Sequence, residues 1–193
     1  GFPSANKILP GLYAEIELII LNAVECEPYI SCDEATLHTC PQKVVIGFDM
    51  LAQAAQIEEA VIAIKEGKEE LTHQLESIIS EHDLDITVMS VPNIYPAGGE
   101  RQLIKSLTGI EVATSELPVN HGILVYNLGT ATATYDALTE SRPLISRTVT
   151  FTGGAACEPG NFSVLIGTPI ADFIDYAGGV TGELEQFVVG GAM

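Results

Sequence analysis

The chain has 193 residues, of which 47% are hydrophobic, so one domain or one and a half could bury a core. It carries 26 acidic against 8 basic side chains, a formal net charge of −18. Nucleic acids and anionic lipids need a basic partner surface, so we expect neither as a ligand. No apolar run approaches the roughly 20 residues of a spanning helix and no signal peptide is visible, which predicts no direct membrane insertion.

The first predicted strand, residues 16–21, is an apolar run rich in β-branched side chains. Asn22 follows it, then Glu25 and Glu27, and Pro28 prevents the strand from continuing. Two acids therefore lie just past the carboxyl end of a core strand, where open parallel sheets bind ligands. They could accept hydrogen bonds from ring N–H groups or a ribose. Simple solvation of two loop acids is the alternative interpretation.

Helices and strands alternate in the next part of the chain. Apolar side chains at helical spacing predict helices over residues 41–55 and 68–81. Short β-branched apolar runs predict strands at residues 60–64 and 86–91. Strand, helix, strand, helix, strand is the pattern of parallel βαβ units. The predicted fold class is therefore α/β, with a Rossmann-like parallel sheet.

A glycine-rich segment running from Tyr95 to Glu100 links the third strand to a helix around residues 102–107. Gly98 and Gly99 at a helix N-terminus would leave backbone N–H groups available to an anion or an electron-rich ring. The pattern is neither GxGxxG nor a P-loop. An ordinary glycine turn between strand and helix is equally open.

A fourth strand, residues 122–128, ends at a polar turn that contains Asn127 and Thr130, before a helix over residues 131–138. Three strand ends thus carry polar or glycine-rich loops. The carboxyl ends of parallel strands lie on one edge of the sheet. We therefore predict that the three loops form one binding site.

The composition changes near Arg142, and we place a domain boundary there, with residues 1–141 Rossmann-like and residues 142–193 a small α+β unit. Alternating polar and apolar side chains predict a half-buried strand at 145–152. About 50 residues are marginal for an independent core, so this unit should pack on the first domain or on a partner. We expect it to face partner proteins and not the nicotinamide.

The pattern in the rest of the small unit predicts a strand, a helix and a strand. The strand lies at residues 161–167, the helix at 170–176 with Pro169 in its first turn, and the final strand at 186–189.

The four cysteines form no CxxC pair, and the histidines are scattered, so the usual iron–sulfur and zinc spacings are absent. Cys32, His38 and Cys40 are close in sequence without an evident fourth ligand. We predict no metal site. Without export signals the thiols should be reduced, which predicts a cytoplasmic protein.

The first residues of the chain combine a glycine, an aromatic and a cation: Gly1, Phe2 and Lys7. A glycine lets backbone approach a ligand, an aromatic ring can stack on a flat one, and a lysine can reach a phosphate. A frayed terminus is the alternative.

An ordered set of segments carries a family resemblance: NAVECEPYISCDE, YPAGGERQLIKSLTG, VYNLGTATATYDAL, PLISRTVTFTG and PGNFSVLIGTPI. Over essentially the whole chain they resemble the C subunit of the Rnf electron-transport complex, an ion-translocating ferredoxin:NAD oxidoreductase. The flavoprotein subunit of respiratory complex I is more distantly similar. The resemblance implies a flavin and NAD(H) domain followed by a small β-grasp-like domain of the soluble-ligand-binding (SLBB) type.

The resemblance also implies the cofactors, FMN and NADH, and the residues that bind them. Matched position by position, these residues are Gly1, Phe2, Lys7, Asn22, Glu25, Glu27, Tyr95, Gly98, Gly99, Glu100, Asn127 and Thr130. The 4Fe-4S clusters of the full-length protein would be bound outside this stretch. The implied partners are NAD(H) and the other subunits of an Rnf-type complex, which would hold the protein on the inner face of the cell membrane.

Two positions depart from the complex I pattern. Val24 stands where that pattern has Asp, and Gly99-Glu100 stands where it has two adjacent glutamates. Part of the matching glycine loop would also precede Gly1. We therefore expect this stretch alone to bind FMN weakly and to be inactive, whereas the full-length protein would move electrons between NAD(H) and iron–sulfur clusters.

Two other functions remain open from the sequence. One is a corrinoid (cobalamin) reductase, whose glycine and ECEP loops are similar. The other is a non-catalytic assembly module that has lost its cofactor and docks partner subunits through the β-grasp domain.

Overall fold

The structure of the protein is a computed structural model that describes residues 15–182 and 185–191. Gly1, Phe2 and Lys7 lie outside the described residues, so the roles implied for them stay predictions.

Four parallel strands form the main sheet. They are β1 (Leu18–Ala23), β2 (Glu59–Lys65), β3 (Ile86–Val91) and β4 (Ile123–Asn127), in the spatial order β3-β2-β1-β4. The two central strands are almost completely buried, as expected for continuous apolar runs covered on both faces. The predicted Rossmann-like α/β class is confirmed.

Five α-helices accompany the sheet in the described residues up to position 139. They are α1 (Cys32–Thr39), α2 (Pro41–Ala55), α3 (Glu69–Glu81), α4 (Glu100–Thr108) and α5 (Leu128–Thr139), and a 3-10 turn (Pro118–His121) precedes β4. In the part of the chain that the structure describes, no helix is both long enough and apolar enough to cross a membrane.

The sheet separates two apolar cores because successive strand residues point to opposite faces. On one face, Ile19 and Leu21 pack with α2, α3 and α5. On the other, Leu18 and Ile20 pack with Leu103 and other apolar residues of α4 and its surroundings. These elements, residues 18–139, are called the sheet unit below.

The helix α1 was not expected, since the sequence interpretation treated residues 22–34 as a loop. The helix begins where Asp33 and Glu34 fall in its first turn, which suits the positive end of the helix dipole. Its first N–H groups are capped by the side chain of Glu25, seven residues before the helix. A cap from that distance gives no local sequence signal.

An antiparallel hairpin and a short helix follow the sheet unit. They are β5 (Ser146–Phe151), β6 (Gly160–Leu165) and α6 (Ile170–Tyr176), and residues 146–176 are called the hairpin unit. It lies against the start of α1, where the Ser31 N–H donates to Thr150 Oγ1 over 3.1 Å and Asn161 bonds to Ser31. That the two units are separate domains, divided after residue 141, stays a prediction.

The predicted strand at residues 186–189 is wrong. Residues 185–191 have no regular structure, and the apolar side chains of Phe187, Val188 and Val189 are 43%, 59% and 73% exposed. A strand needs a neighbour for its backbone groups, and an apolar run does not supply one. The remaining predicted strands and helices are present, with ends shifted by up to three residues.

Candidate functional site

Three strand-end loops meet at the carboxyl edge of the main sheet. Asn22 at the end of β1 is the register partner of Asn127 at the end of β4, so two of the loops start side by side. The third loop, which follows β3, extends past the end of β2 to the end of β1. At the end of β1, the Asn22 Nδ2 group donates a hydrogen bond of 2.8 Å to the carbonyl of Gly98, which belongs to this third loop. The convergence that the parallel sheet predicted is therefore present.

Gly98 is needed because the backbones of two loops touch at this point. A Cβ atom at residue 98 would overlap the Val24 carbonyl oxygen and come within 2.9 Å of Cys26 Sγ. The Asn22 side chain also stabilises this contact between the loops, since its Oδ1 accepts the Val24 N–H over 3.0 Å while its Nδ2 donates to Gly98. Asn22 thus holds the loops together. A direct contact between its side chain and a ligand stays a prediction.

Glu25 and Glu27 face different neighbours although they are two residues apart. The two carboxylate oxygens of Glu25 accept the Asp33 and Glu34 N–H groups over 2.9 and 3.0 Å, so Glu25 caps α1. Glu27 lies beside Tyr95. The pKa of the Tyr95 hydroxyl is raised, first by desolvation and then by the negative charge of Glu27. Of the two acids, Glu27 is the one that adjoins open space.

That open space is a cleft of about 660 Å³ between the hairpin unit and residues 24–31, which follow β1 and are called the acidic loop below. Residues 27–30 and residues 151–156 line this cleft, together with Val180 and residues from the segment 186–191. The volume lies in the range of sites that take a ring-containing ligand. Tyr95, which is 48% exposed, stands next to Glu27, and Glu27 lines this cleft.

Three predicted site residues belong to helix starts. Gly99 is the extended residue before α4, and Glu100 is the first, exposed residue of that helix. Thr130 lies in the first turn of α5 and is 5% exposed. The first N–H groups of a helix have no partner within it, so both starts can donate to an anion.

Asn127 links the start of α5 to the start of α1. Its Oδ1 accepts the Gly129 N–H over 2.9 Å, and its Nδ2 donates to Asp33 Oδ2 over 2.9 Å. Burial, and then the charge of Glu25, raise the pKa of Asp33 to about 6, against smaller opposite effects of Asn127 and Arg147. Asp33 was missed from the sequence, although an acid in a first helical turn after Ser31 was a usable signal.

Glu25, Cys32 and Asp33 form a compact group whose ligand atoms lie within 4.8 Å of one another. Glu25 is engaged by α1, and the Cys32 thiol donates to Glu25 Oε1 over 3.5 Å. Burial, with Asp33 and Glu25 adding to it, raises the pKa of Cys32 to about 11. A protonated thiol and a carboxylate that caps a helix are poor ligands, so we assign no metal to this group.

Arg147 of β5 is a second residue that the sequence interpretation did not place in the site. Its guanidinium lies against Gly129 at the start of α5, where an added Cβ atom would overlap Nη1. The hairpin unit therefore reaches the edge of the main sheet. The signal was a charged residue on the side of the strand that also carries Val149 and Phe151.

Comparison with known proteins agrees with this geometry. Residues 1–136 match the family model described as the Nuo51 FMN-binding domain. The chain belongs to this family. Its residues 18–91 and 123–139 supply the four-stranded sheet and helices on which the site is built.

Curated relatives extend over the whole chain. The C subunit of the ion-translocating oxidoreductase complex of Pseudomonas aeruginosa is 41% identical over 193 residues, which are 100% of this chain and 25% of that protein. Its counterpart in Rhodobacter capsulatus is 33% identical over 192 residues, 100% of this chain and 37% of that protein. The resemblance to the C subunit of an Rnf-type complex is confirmed. The chain spans between a quarter and two fifths of the length of these relatives.

Among solved structures, an NAD+-reducing NiFe-hydrogenase in the air-oxidized state matches with a TM-score of 0.78. The match covers 94% of this chain and 36% of that one, at 24% identity. The H2-reduced state gives a TM-score of 0.77 over 92% of this chain and 36% of that one, at 23% identity. These matches establish the fold alone.

Proposed function

We propose that this chain is the FMN-binding module of the C subunit of an Rnf-type ion-translocating oxidoreductase complex. Membership in the family of the Nuo51 FMN-binding domain, and similarity to that subunit along the whole chain, support this function. The observation that carries it is the meeting of three strand-end loops at one edge, joined by Asn22 to Gly98 and by Asn127 to Asp33.

The residues at this edge fit a flavin mononucleotide. The start of α5, with Thr130, presents backbone N–H groups that suit the phosphate. The Gly98 backbone packs directly on the Val24 carbonyl, which keeps these two loops close enough to meet the same flat ring. In a chain of net charge −18, such local donors must hold the phosphate.

Glu27 and Tyr95 are the residues that we assign to the NADH side of the site. Glu27 lines the cleft between the acidic loop and the hairpin unit, and Tyr95 stands beside Glu27. The cleft has room for a second ring beside the flavin. A nicotinamide bound there would contact the hairpin unit, so this assignment replaces the expectation that the hairpin unit lies away from the nicotinamide. Bound FMN would supply the redox chemistry, exchanging hydride with NAD(H) and passing electrons to iron–sulfur clusters held elsewhere in the full-length protein. The other subunits of the complex would hold the protein at the inner face of the membrane.

The first experiment measures FMN binding. Full-length protein stripped of flavin is titrated with FMN, and quenching of flavin fluorescence gives the dissociation constant. We expect stoichiometric binding, weakened at least tenfold by Asn127→Ala. The matched control is Asn120→Ala, which removes a similar side-chain bond, to the Leu117 N–H, at the opposite edge of the sheet.

The outcomes separate the flavin function from the location of the site. Failure of the full-length protein to bind FMN would reject the flavin function. Equal weakening by Asn127→Ala and Asn120→Ala would reject the location of the site, because the two side chains lie at opposite ends of β4.

The second experiment tests the role of Glu27. In the full-length protein, Glu27→Gln should slow flavin reduction by NADH at least tenfold, while FMN affinity and reduction by dithionite stay unchanged. Glu58→Gln is the control, since Glu58 is an exposed acid before β2 at the other edge of the sheet. Unchanged NADH kinetics in Glu27→Gln would remove this residue from the site.

A further inference from the structure

One cation of the hairpin unit, Arg147, lies at the carboxyl edge of the main sheet, where the candidate site residues meet. Arg147 stands on β5, and its Nη1 atom lies against Gly129, the second residue of α5. Glycine at this position leaves the space that the guanidinium uses, since an added Cβ atom would overlap it. The contact is therefore made between the two units, at the first turn of a helix.

Arg147 differs from most cations of the described residues. With 8 basic against 26 acidic side chains, cations are scarce, and acids or carbonyl oxygens engage most of those that the structure describes. Those engaged in this way are Lys43, Lys68, Arg101, Lys105 and Arg142. Within the described part of the chain, Arg147 donates no hydrogen bond and forms no ion pair.

Among the described residues, Asp33 is an acid in the neighbourhood of Arg147, but it forms no ion pair with the arginine. Asp33 is close enough for the arginine charge to lower its pKa, yet its Oδ2 atom accepts a hydrogen bond from Asn127. The Arg147 guanidinium is only half-buried and can therefore reach an anion that binds at this edge. Its five N–H donors match the oxygens of a phosphate, which can accept two of them in parallel.

The start of α5 supplies the other half of such a site. Asn127 caps the Gly129 N–H, which leaves the N–H groups of Leu128 and Thr130 without a partner inside the helix. The helix dipole favours negative charge at the same place. Arg147 stands beside these groups and adds a full positive charge to them.

We propose that Arg147 binds the phosphate of the FMN at the start of α5, so that the hairpin unit completes the flavin site. This inference rests on the function proposed above. It makes the hairpin unit part of cofactor binding and assigns to Arg147 a contact with the phosphate group, away from the redox-active ring. Specificity for a phosphorylated flavin over riboflavin would then depend on this side chain together with the N–H groups at the start of α5.

The test compares FMN with riboflavin, which carries the same ring without the phosphate. In the flavin-free full-length protein, Arg147→Gln should weaken FMN binding at least tenfold and leave riboflavin binding within twofold. The FMN affinity of the variant should also depend less on salt, because one charge contact with the phosphate is gone. Arg142→Gln is the matched control, since Arg142 is exposed and pairs with Glu140.

A second variant keeps the arginine and fills the space that its guanidinium occupies, with a lesser contact to Asn127 Oδ1 at 3.2 Å. Gly129→Ala puts a methyl group where the guanidinium lies, and should likewise lower FMN affinity more than riboflavin affinity. Circular dichroism would show whether Arg147→Gln folds. If it does not, Gly129→Ala provides the test in its place.

Each result either supports or overturns the inference. Equal losses for FMN and riboflavin, or unchanged FMN binding in both variants, would overturn it while leaving the flavin function in place. Absence of FMN binding in the unmodified full-length protein would instead reject the function on which it rests. Selective loss of FMN in both variants, with Arg142→Gln unchanged, supports it.

Discussion

The sheet unit and the hairpin unit stabilise themselves in different ways. In the sheet unit the central strands are buried on both faces, and Ile19, Ile20 and Leu21 are fully inaccessible to solvent. In the hairpin unit β6 alternates half-buried and exposed residues, and its core consists of a few aromatic rings. The edge that carries the candidate site is therefore fixed by the sheet unit, whereas the hairpin unit reaches it through single side chains.

The largest effect is expected from a methyl group between two helices of the sheet unit. Gly47 of α2 lies so close to α5 that an added Cβ atom would overlap the Ala131 carbonyl oxygen. Gly47→Ala should destabilise the protein by about 2–3 kcal/mol, since overpacking outweighs the gain of roughly 1 kcal/mol from replacing a helical glycine. Urea unfolding followed by circular dichroism measures this.

The same substitution should also disturb the site, because Asn127 precedes the displaced helix and Thr130 lies in its first turn. FMN affinity of the full-length protein is the second measurement, and we expect it to fall. Gly154→Ala is the control, because no atom lies within 4 Å of the position of its Cβ. If Gly47→Ala were as stable as this control, close contact between α2 and α5 would not be what positions the edge.

A smaller and local effect is expected in the hairpin unit. The Phe173 ring packs edge to face against Phe151 and Phe162, with centroids 5.8 and 5.6 Å apart. Phe173→Ala should cost roughly 2 kcal/mol, below the range for fully buried phenylalanines, because the ring is only half-buried. Hydrogen exchange should become faster in β5 and β6 and stay unchanged in β1 and β2.

Tyr176→Ala is the control for this local effect. Tyr176 touches the same cluster, 6.2 Å from the Phe162 centroid, but is 78% exposed. Faster exchange in β1 and β2 of the Phe173→Ala variant would mean that the two units unfold together. That result would contradict the view that each unit is stabilised by its own core.

Helices and strands were predictable where their buried side chains recur in the sequence with the period of a helix or a strand. The apolar spacing of Val44, Phe48 and Leu51 predicted α2 with both ends correct, because one helix face alone is buried. The meeting of the loops followed from the order of strands and helices. The prediction of a strand at residues 186–189 was wrong, since the backbone of this segment has no partner strand among the described residues.

The connections within the site were beyond prediction, because they join residues far apart in the chain. The bond from Asn22 to Gly98 spans 76 residues and that from Asn127 to Asp33 spans 94. The roles of neighbouring acids were equally hidden, since only the fold turns Glu25 toward α1 and Glu27 toward Tyr95. Arg147 has no signature apart from its place in an alternating strand.

The smallest effect concerns Asp33, which lies where the hairpin unit and the sheet unit meet. Its pKa is raised from 3.8 to about 6 by burial and by Glu25, so the folded state binds its proton more tightly than the unfolded state. Stability from this group is present below pH 4 and is lost as the pH rises through about 6. At pH 7.5 the ionised carboxylate should therefore destabilise the fold.

Asp33→Asn tests this directly, because the amide oxygen can still accept the bond from Asn127 while the charge is removed. A shift of about two pH units corresponds to roughly 3 kcal/mol, which partial exposure and the lost attraction to the start of α1 reduce to about 1 kcal/mol. The variant should be more stable than the unmodified protein at pH 7.5 and equally stable near pH 4, measured by urea unfolding. Asp172→Asn, at the exposed start of α6, controls for net charge. A variant that is less stable at pH 7.5 would show that the Asp33 carboxylate stabilises the junction of the two units.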